Sequence, residues 1–539
     1  MDRENYKNLI NRALGYNYCR KEDYEKGLPL LKTSISNEED IKNFIDFSLK
    51  YATKFTQEKN WLKILEIYKE LLEFKEIPNK LYKNIGLCLS AIGSNKEAID
   101  FFKYYENLEP EDKETYSFVG EIALDYLNDY LLAIEYYEKA LKVGSESFLI
   151  YNALGHCYSK YYRDSHKEEQ IKYFEKALEL EPNNEVVVKN LAYVYGKFGE
   201  TKKADEMYGR MMMLSPSHSD LHSYGAYLVK DKKFKAGFKF LRHRFYKEDI
   251  SGSAFASILK YRDKLWKIGE PLEGKRVLVH YEQGLGDSIM FARFLKDLKD
   301  KCKSVEVILQ EGLIDLFKDS GIPFPIRKRE EVKNIGFDCL VPMMDLPLVY
   351  NLKADNIPYS EGYLNVSEDK VAEYNKKYIK KTKKLKIGFA FEGSETSLGT
   401  KRDIPIECFY KLMRMKNVDM YCFQVGDIFK QLDKVPKTCK FTKLGDTFKN
   451  WKDTACALKN MDLLITSDNG VMNLAGALGV KTFGVFNSMA EWRWFKLEGD
   501  DVAWYKSVKP FKCTSTDDWE SAMKKVIKEV KELIDPLEE

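Results

Sequence analysis

Between about residue 40 and residue 245, apolar positions recur at helical spacing, and the pattern itself repeats. In LYKNIGLCLSAIGSNKEAIDFFKYYENLEP (81–110), Ile85-Gly86 precede Ala98, Phe102, Tyr105 and Pro110. In VKNLAYVYGKFGETKKADEMYGRMMMLSP (188–216), Leu191-Ala192 precede Ala204, Tyr208, Met211 and Pro216 at matching intervals. FVGEIALDYLNDYLLAIEYYEKAL (118–141) and ALGHCYSKYYRDSHKEEQIKYFEKALELEP (153–182) lie between them. Pro182 and Pro216 are 34 residues apart, and Pro110 and Pro182 are 72 apart, two such periods plus four residues. The extra residues are placed near 128–132 and 160–168. Weaker copies are expected at 43–78 and 221–245, and residues 1–42 form an N-terminal helical segment.

A period of 34, with small residues where two helices cross and proline after the second, resembles the tetratricopeptide (TPR) repeat. Gly86, Gly120, Gly155 and Ala192 let one backbone approach the other, and aromatics at 102, 137, 174 and 208 fill the space between repeats. Four copies suffice for a stable stack. The aromatics and Met211-Met212-Met213 are expected in the core, and the concave face is where an extended peptide or protein would bind.

After 245 the pattern changes. A connector (246–264) leads to short β-rich runs that alternate with helical stretches. The runs are 276–281, 304–310, 337–343, 385–391, 419–425, 462–467 and 482–486. Strand–helix alternation predicts parallel sheets with helices on both faces. The lysine-rich stretch 374–386 is read as a solvated helix and linker. It separates an α/β lobe at 265–373 from another at 387–539, with ligand expected in the cleft between them. The expected fold is therefore a multidomain α plus α/β chain, a helical-repeat array at 43–245 followed by two Rossmann-like lobes.

Composition narrows the function classes. With 87 basic and 84 acidic residues the formal charge is +3, which offers no polyanion footprint and argues against nucleic acid. The first residues carry charge where a signal peptide needs an apolar stretch, and no apolar run reaches the roughly 20 residues of a membrane span. A cytoplasmic location is expected. The ten cysteines form no C-x-x-C pair, so reduced thiols are expected rather than zinc or disulfide chemistry. Only His280 lies beyond His243, so acid–base work in the second half falls mainly to carboxylates.

Two turns carry candidate chemistry. EQGLGDS (282–288) joins a strand to a helix, but Ile289 stands where a dinucleotide fingerprint wants its third glycine, and no acid ends the next strand. Asp287 suits a helix cap there, while two glycines bare the backbone beside it. Ser467-Asp468-Asn469-Gly470 offers a carboxylate, an amide and backbone N–H groups at a helix start, suited to diphosphate or sugar hydroxyls. A third, polar loop (391–405) ends in Lys401-Arg402, cations suited to phosphate.

In this order, the segments 265–294, 337–350, 387–409, 453–486 and EWRWF (491–495) resemble the bacterial TPR-repeat glycosyltransferases. Their catalytic half is related to the ADP-heptose heptosyltransferases of glycosyltransferase family 9. The resemblance implies a GT-B fold, an inverting, metal-independent transfer and a nucleotide-sugar donor, with no cofactor. It implies Asp287 as the general base, with Gly284 and Gly286 bringing backbone N–H groups to the donor. Lys401 or Arg402 would neutralise the leaving diphosphate, while Asp468, Asn469 and Gly470 would hold donor hydroxyls and phosphate. Gln424 would contact the base or ribose. Asn473 stands where heptosyltransferases carry histidine, and Asn469 where they carry threonine. Asparagine still donates a hydrogen bond to phosphate but carries no charge. Trp492 and Trp494 fit the family's W-R-W pattern, as lobe packing or as cleft lining. The implied acceptor is a protein or glycan presented by the repeats. The competing reading is an interaction scaffold with a degenerate, non-catalytic GT-B half.

Overall fold

The computed structural model describes residues 3–246, 253–393, 402–426, 432–488, 492–494, 502–515 and 518–534. The chain divides into two compact units, Met1–Val194 and Tyr195–Glu539. The division falls inside helix Glu185–Lys197, so the array read as 43–245 contributes its last helices to the second unit.

In the first unit, helices pair as hairpins: Arg3–Arg20 with Tyr24–Thr33, Glu38–Gln57 with Trp61–Leu71, and Lys80–Ala91 with Asn95–Leu108. Lys113–Glu121 with Tyr130–Lys142 and Phe148–Tyr161 with Lys167–Leu180 continue the series. Each helix buries one stripe, as Ala98, Ile99, Phe102 and Tyr105 do in Asn95–Leu108. Side-chain caps start several of them. Asp112 accepts from the N–H groups of Glu114 and Thr115, and Asp129 and Ser147 act similarly. The four extra residues expected near 128–132 and 160–168 are absorbed in two ways. A π-turn at Ile122–Tyr126 takes up part of the first, ending at left-handed Asn128. Arg163 and His166, also left-handed, shape the second, where buried Gln170 donates to the Arg163 and Ser165 carbonyls.

The small residues at the crossings are there for steric reasons. A Cβ on Gly86, Gly120 or Gly155 would lie 2.8 Å from the ring of Phe102, Tyr137 or Phe174. Phe174 is buried, so moving it aside means repacking its neighbours. Gly155→Val is therefore expected to lower unfolding free energy by about 1–3 kcal/mol, measured by urea titration. A change below a few tenths would mean that Phe174 repacks freely.

In the second unit, His218–Lys230 and Phe234–Leu241 form a last hairpin whose backbones touch. A Cβ on Gly225 would meet Leu241 N at 2.5 Å and Gly237 O at 2.9 Å. Val229, Phe234, Phe238 and Leu241 belong to the same core as Phe291, Met472, Trp494 and Trp504. The hairpin is thus built into the lobes.

The first lobe carries a parallel sheet in the order β3-β2-β1-β4: β1 Arg276–His280, β2 Ser304–Ile308, β3 Ile326–Arg327 and β4 Cys339–Pro342. The second carries β10-β9-β8-β5-β6-β7: β5 Leu385–Ala390, β6 Val418–Cys422, β7 Thr442–Lys443, β8 Leu463–Ser467, β9 Thr482–Phe486 and β10 Val508–Lys512. All seven expected strands are present. The three that sequence did not signal, β3, β7 and β10, are all edge strands, whereas the fourth edge strand, β4, was expected. β3 and β7 have two residues each, and β10 contains Pro510, which its edge position tolerates. Residues 374–386, read as helix and linker, hold the last turns of helix Glu368–Tyr378 and the start of β5. That helix is pinned to the second lobe by Tyr374–Thr447 and Asn375–Asn460 hydrogen bonds. The architecture is a TPR-type solenoid followed by two Rossmann-like lobes of GT-B kind.

Strand order decides where a ligand can sit. β1 has β2 on one side and β4 on the other, and β5 is flanked by β6 and β8. At such reversals the connecting helices diverge and leave a crevice at the strands' C-terminal edge. The turns after β1, β5 and β8 all open there.

Candidate functional site

Helix Leu285–Phe291 begins directly after β1, and its N-cap is Gly284, in an extended conformation. Asp287 is therefore not the cap that its position suggested. It is the third residue of the helix, and its carboxylate points at another segment. Arg493 Nε donates to Asp287 Oδ1 at 2.5 Å. Arg493 Nη2 also donates to Gln283 Oε1 in the same turn. Both charged side chains are largely buried, at 18% and 15% exposure, so water screens the pair weakly.

The second turn meets the first. Helix Gly470–Ala477 follows β8, with Asn469 as its N-cap accepting from Met472 N–H at 3.1 Å. A Cβ on Gly286 would lie 3.0 Å from Asn473 Nδ2 and 3.6 Å from Gly470 Cα. The glycine permits this helix-to-helix approach, whereas a Cβ on exposed Gly284 would meet only Asp287 Oδ2, at 3.7 Å. Gly470 in turn lies under Trp451, whose ring would be 2.7 Å from an added Cβ. Two turns about 180 residues apart in sequence thus pack against each other.

Several residues expected to face a donor are already engaged. Asn469 donates to Glu392 O at 3.2 Å and Thr466 Oγ1 at 2.9 Å while capping its helix. Gln424, expected at a base or ribose, accepts from Phe391 N–H at 3.2 Å and Glu392 N–H at 3.1 Å, which shapes the loop after β5. Asp468 Oδ2 is held by Arg402 Nη1 at 3.1 Å, so the predicted phosphate cation and the predicted hydroxyl acceptor pair with each other. Lys401 lies outside the described residues. Asn473 donates to Asn469 O at 3.2 Å and accepts from Tyr505 Oη at 3.0 Å, so its amide is a buried brace.

Three groups carried no signal in the sequence. Arg493 sits between the two tryptophans of the W-R-W pattern, and nothing in that pattern points it at Asp287. Trp494 is core, 5.2 Å from the Phe486 ring, and half-buried Trp492 packs 6.4 Å from Phe238. Glu392, beside Gln424 and Asn469, has its carboxyl raised by burial and then by Asp403. The third group fills the β1/β4 reversal. Arg244, from the turn after the last hairpin, donates Nε to Glu282 Oε2 at 2.6 Å and Nη2 to Asp345 Oδ1 at 2.8 Å. Met344 N–H also donates to Glu282, at 3.0 Å. Arg242 Nε lies 3.3 Å from Asp345 Oδ2, close enough for charge pairing but off-line for a hydrogen bond. Burial works against the Arg244 charge, but Glu282 and Asp345 outweigh it and hold the guanidinium above its ordinary range.

His280, the one imidazole of the lobes, stays out of the chemistry. It is buried between the Tyr281 carbonyl and Ser257 Oγ, and burial pulls it down to about 4. Below the ordinary value near 6.5, the unfolded chain takes a proton that the folded chain refuses. Stability should fall as pH drops from about 6.5 toward 4, with His280 contributing up to about 3 kcal/mol of that loss. His280→Gln should flatten the slope of unfolding free energy against pH; an unchanged slope would assign the loss to other groups.

Among the described residues, no group of three or more His, Cys, Asp or Glu could hold a metal, and no helix is long and apolar enough to cross a membrane.

A tetratricopeptide-repeat family model matches residues 114–143 and 149–184. Protein FlbA of Caulobacter vibrioides is 23% identical over 285 residues, covering 48% of this chain and 46% of FlbA. The chain thus spans about half the length of the curated relative it matches. Among solved structures, a glycosyl transferase family 9 protein from Veillonella parvula aligns with 92% of its own chain and 48% of this one, at 14% identity and a TM-score of 0.38. YrrB, described as a TPR protein with an unusual peptide-binding site, aligns with 97% of its chain and 36% of this one, at 17% identity and a TM-score of 0.31.

Proposed function

We propose that this chain is an inverting, metal-independent glycosyltransferase that uses a nucleotide-sugar donor and a protein or glycan acceptor brought by the helical repeats. The observation that carries this reading is the contact of Gly286 with Gly470 and Asn473. It supports the reading because the turn that carries Asp287 packs against the start of helix Gly470–Ala477, where N–H groups and the helix dipole would favour a diphosphate. Asp287 would take the proton of an acceptor hydroxyl as its oxygen bonds to the anomeric carbon. The bond from that carbon to the diphosphate oxygen breaks, and the electron pair leaves with the nucleotide.

Nucleoside diphosphates should stabilise the folded chain by mass action, by about 2.7 kcal/mol at a hundred times Kd. A melting screen of UDP, GDP, ADP, CMP and dTDP in which none raises Tm would remove the donor site. Transfer should also persist in EDTA; loss that magnesium or manganese restores would replace the metal-independent scheme.

One observation favours the scaffold alternative. Asp287 and Asp468 are each paired to an arginine, and the Asn473 amide is spent on structure. The same screen separates the two readings.

A further inference from the structure

In a transferase whose base is Asp287, the Arg493–Asp287 pair presents a chemical difficulty. Asp287 Oδ1 already accepts a guanidinium N–H at 2.5 Å, so an acceptor hydroxyl cannot bond to that oxygen while the arginine lies on it. Something must draw the guanidinium away before Asp287 can act. Resting on the transferase reading, we infer that the donor's diphosphate does this: Arg493 is shared, holding Asp287 before the donor arrives and moving to the diphosphate when the nucleotide sugar binds.

The geometry supplies each part. Arg493 comes from the second lobe, and its backbone is anchored where Trp504 Nε1 donates to its carbonyl at 2.6 Å. Its guanidinium lies 4.6 Å from the Trp492 ring centre, a face on which a planar cation can slide. The side chain can therefore turn about a fixed base. The turn it grips is also fixed, since Gln310 Nε2 donates to Gln283 O at 2.9 Å and Ser288 Oγ donates to Gln310 at 2.8 Å. Gly286, between Gln283 and Asp287, touches Gly470 and Asn473, so the shared cation sits next to the helix start where the diphosphate is proposed. Arg402 is engaged by Asp468 at 3.1 Å. A diphosphate carries more than one charge and offers paired oxygens to the guanidinium fork, so it outcompetes one carboxylate oxygen. Donor binding would then free the base and neutralise the leaving group in one movement. An acceptor alone would meet a base still held by its arginine, so hydroxyl activation is coupled to donor occupancy.

The test is a double-mutant cycle on binding of the nucleoside diphosphate that gives the largest melting shift, read by calorimetry on the full chain. Arg493→Gln should weaken binding by tenfold or more, and Arg493→Lys, which keeps the charge but loses the fork, should recover only part of it. Asp287→Asn should tighten binding by about tenfold, because a neutral amide holds the arginine less strongly than a carboxylate and the substitution removes a like charge. In the Arg493→Gln background the gain from Asp287→Asn should shrink at least threefold. If the two substitutions act independently, or if Arg493→Gln binds as the parent does, Arg493 is not shared and the inference fails. If Arg493→Gln is poorly folded, Arg493→Lys carries the test, since a merely structural arginine would not give its effect on binding a dependence on residue 287. If the parent chain binds no nucleoside diphosphate at all, the transferase reading fails and takes this inference with it.

Discussion

Arg244→Met is expected to be among the most destabilising single substitutions in the lobes, lowering unfolding free energy by about 3–5 kcal/mol. Arg244 is fully buried, and so are its partners Glu282 and Asp345. Methionine matches much of the volume but leaves two carboxylates in an apolar setting. Glu282 keeps only the Met344 N–H, and Asp345 keeps Arg242 at 3.3 Å. The expected sign of a second substitution makes the argument sharper. Arg244→Met with Glu282→Gln should be more stable than Arg244→Met alone, because it removes one of the stranded charges. Urea unfolding of the two variants measures both. If the single variant loses less than about 1 kcal/mol, the network is wet and its charges are screened by water. The network also ties the last helical hairpin to the crevice edge of the first lobe, so its loss should loosen the site as well as the fold.

Asp287→Asn should cut sugar transfer by about 10²–10⁴-fold if the carboxylate removes the acceptor proton. The substitution is isosteric, and Asn Oδ1 still accepts from Arg493 Nε, so the melting temperature should move little. Loss of transfer with an unchanged melting curve separates chemistry from folding. Transfer at the parental rate would remove Asp287 from the mechanism. The binding cycle on Arg493 then asks a different question, how the base is released, and it can fail while this prediction stands.

Much of the fold was legible because burial follows a period. The recurrence of Gly86, Gly120 and Gly155 against Phe102, Tyr137 and Phe174 is a local pattern, and each pair meets across one hairpin. Six central strands and the edge strand β4 were legible for the same reason, as short apolar runs between turn residues. Edge strands β3, β7 and β10 were not, since two residues or a Pro510 carry no run to detect. The helix cap falls on Gly284 rather than Asp287 although both residue types suit that position, and only the backbone path distinguishes them. The candidate site was legible as a set of turns. It was not legible as a set of contacts: Gln424 and Asn469 suited a ligand by type, and the structure spends their amides on Glu392, Thr466 and Met472.

The sequence by itself determined that a helical repeat of period 34 precedes alternating strands and helices, and that two glycine-bearing turns end strands in the second half. Those properties depend on neighbours a few residues apart. The tertiary structure decided which charges meet. Arg493 reaches Asp287 across 206 residues, and Arg244 reaches Asp345 across 101. Nothing periodic marks such partners among 87 cations and 84 anions, because an ion pair depends on where the chain crosses itself. For Asp287 that crossing matters chemically, since the residue type suits the proposed base and its carboxylate is already bonded to Arg493.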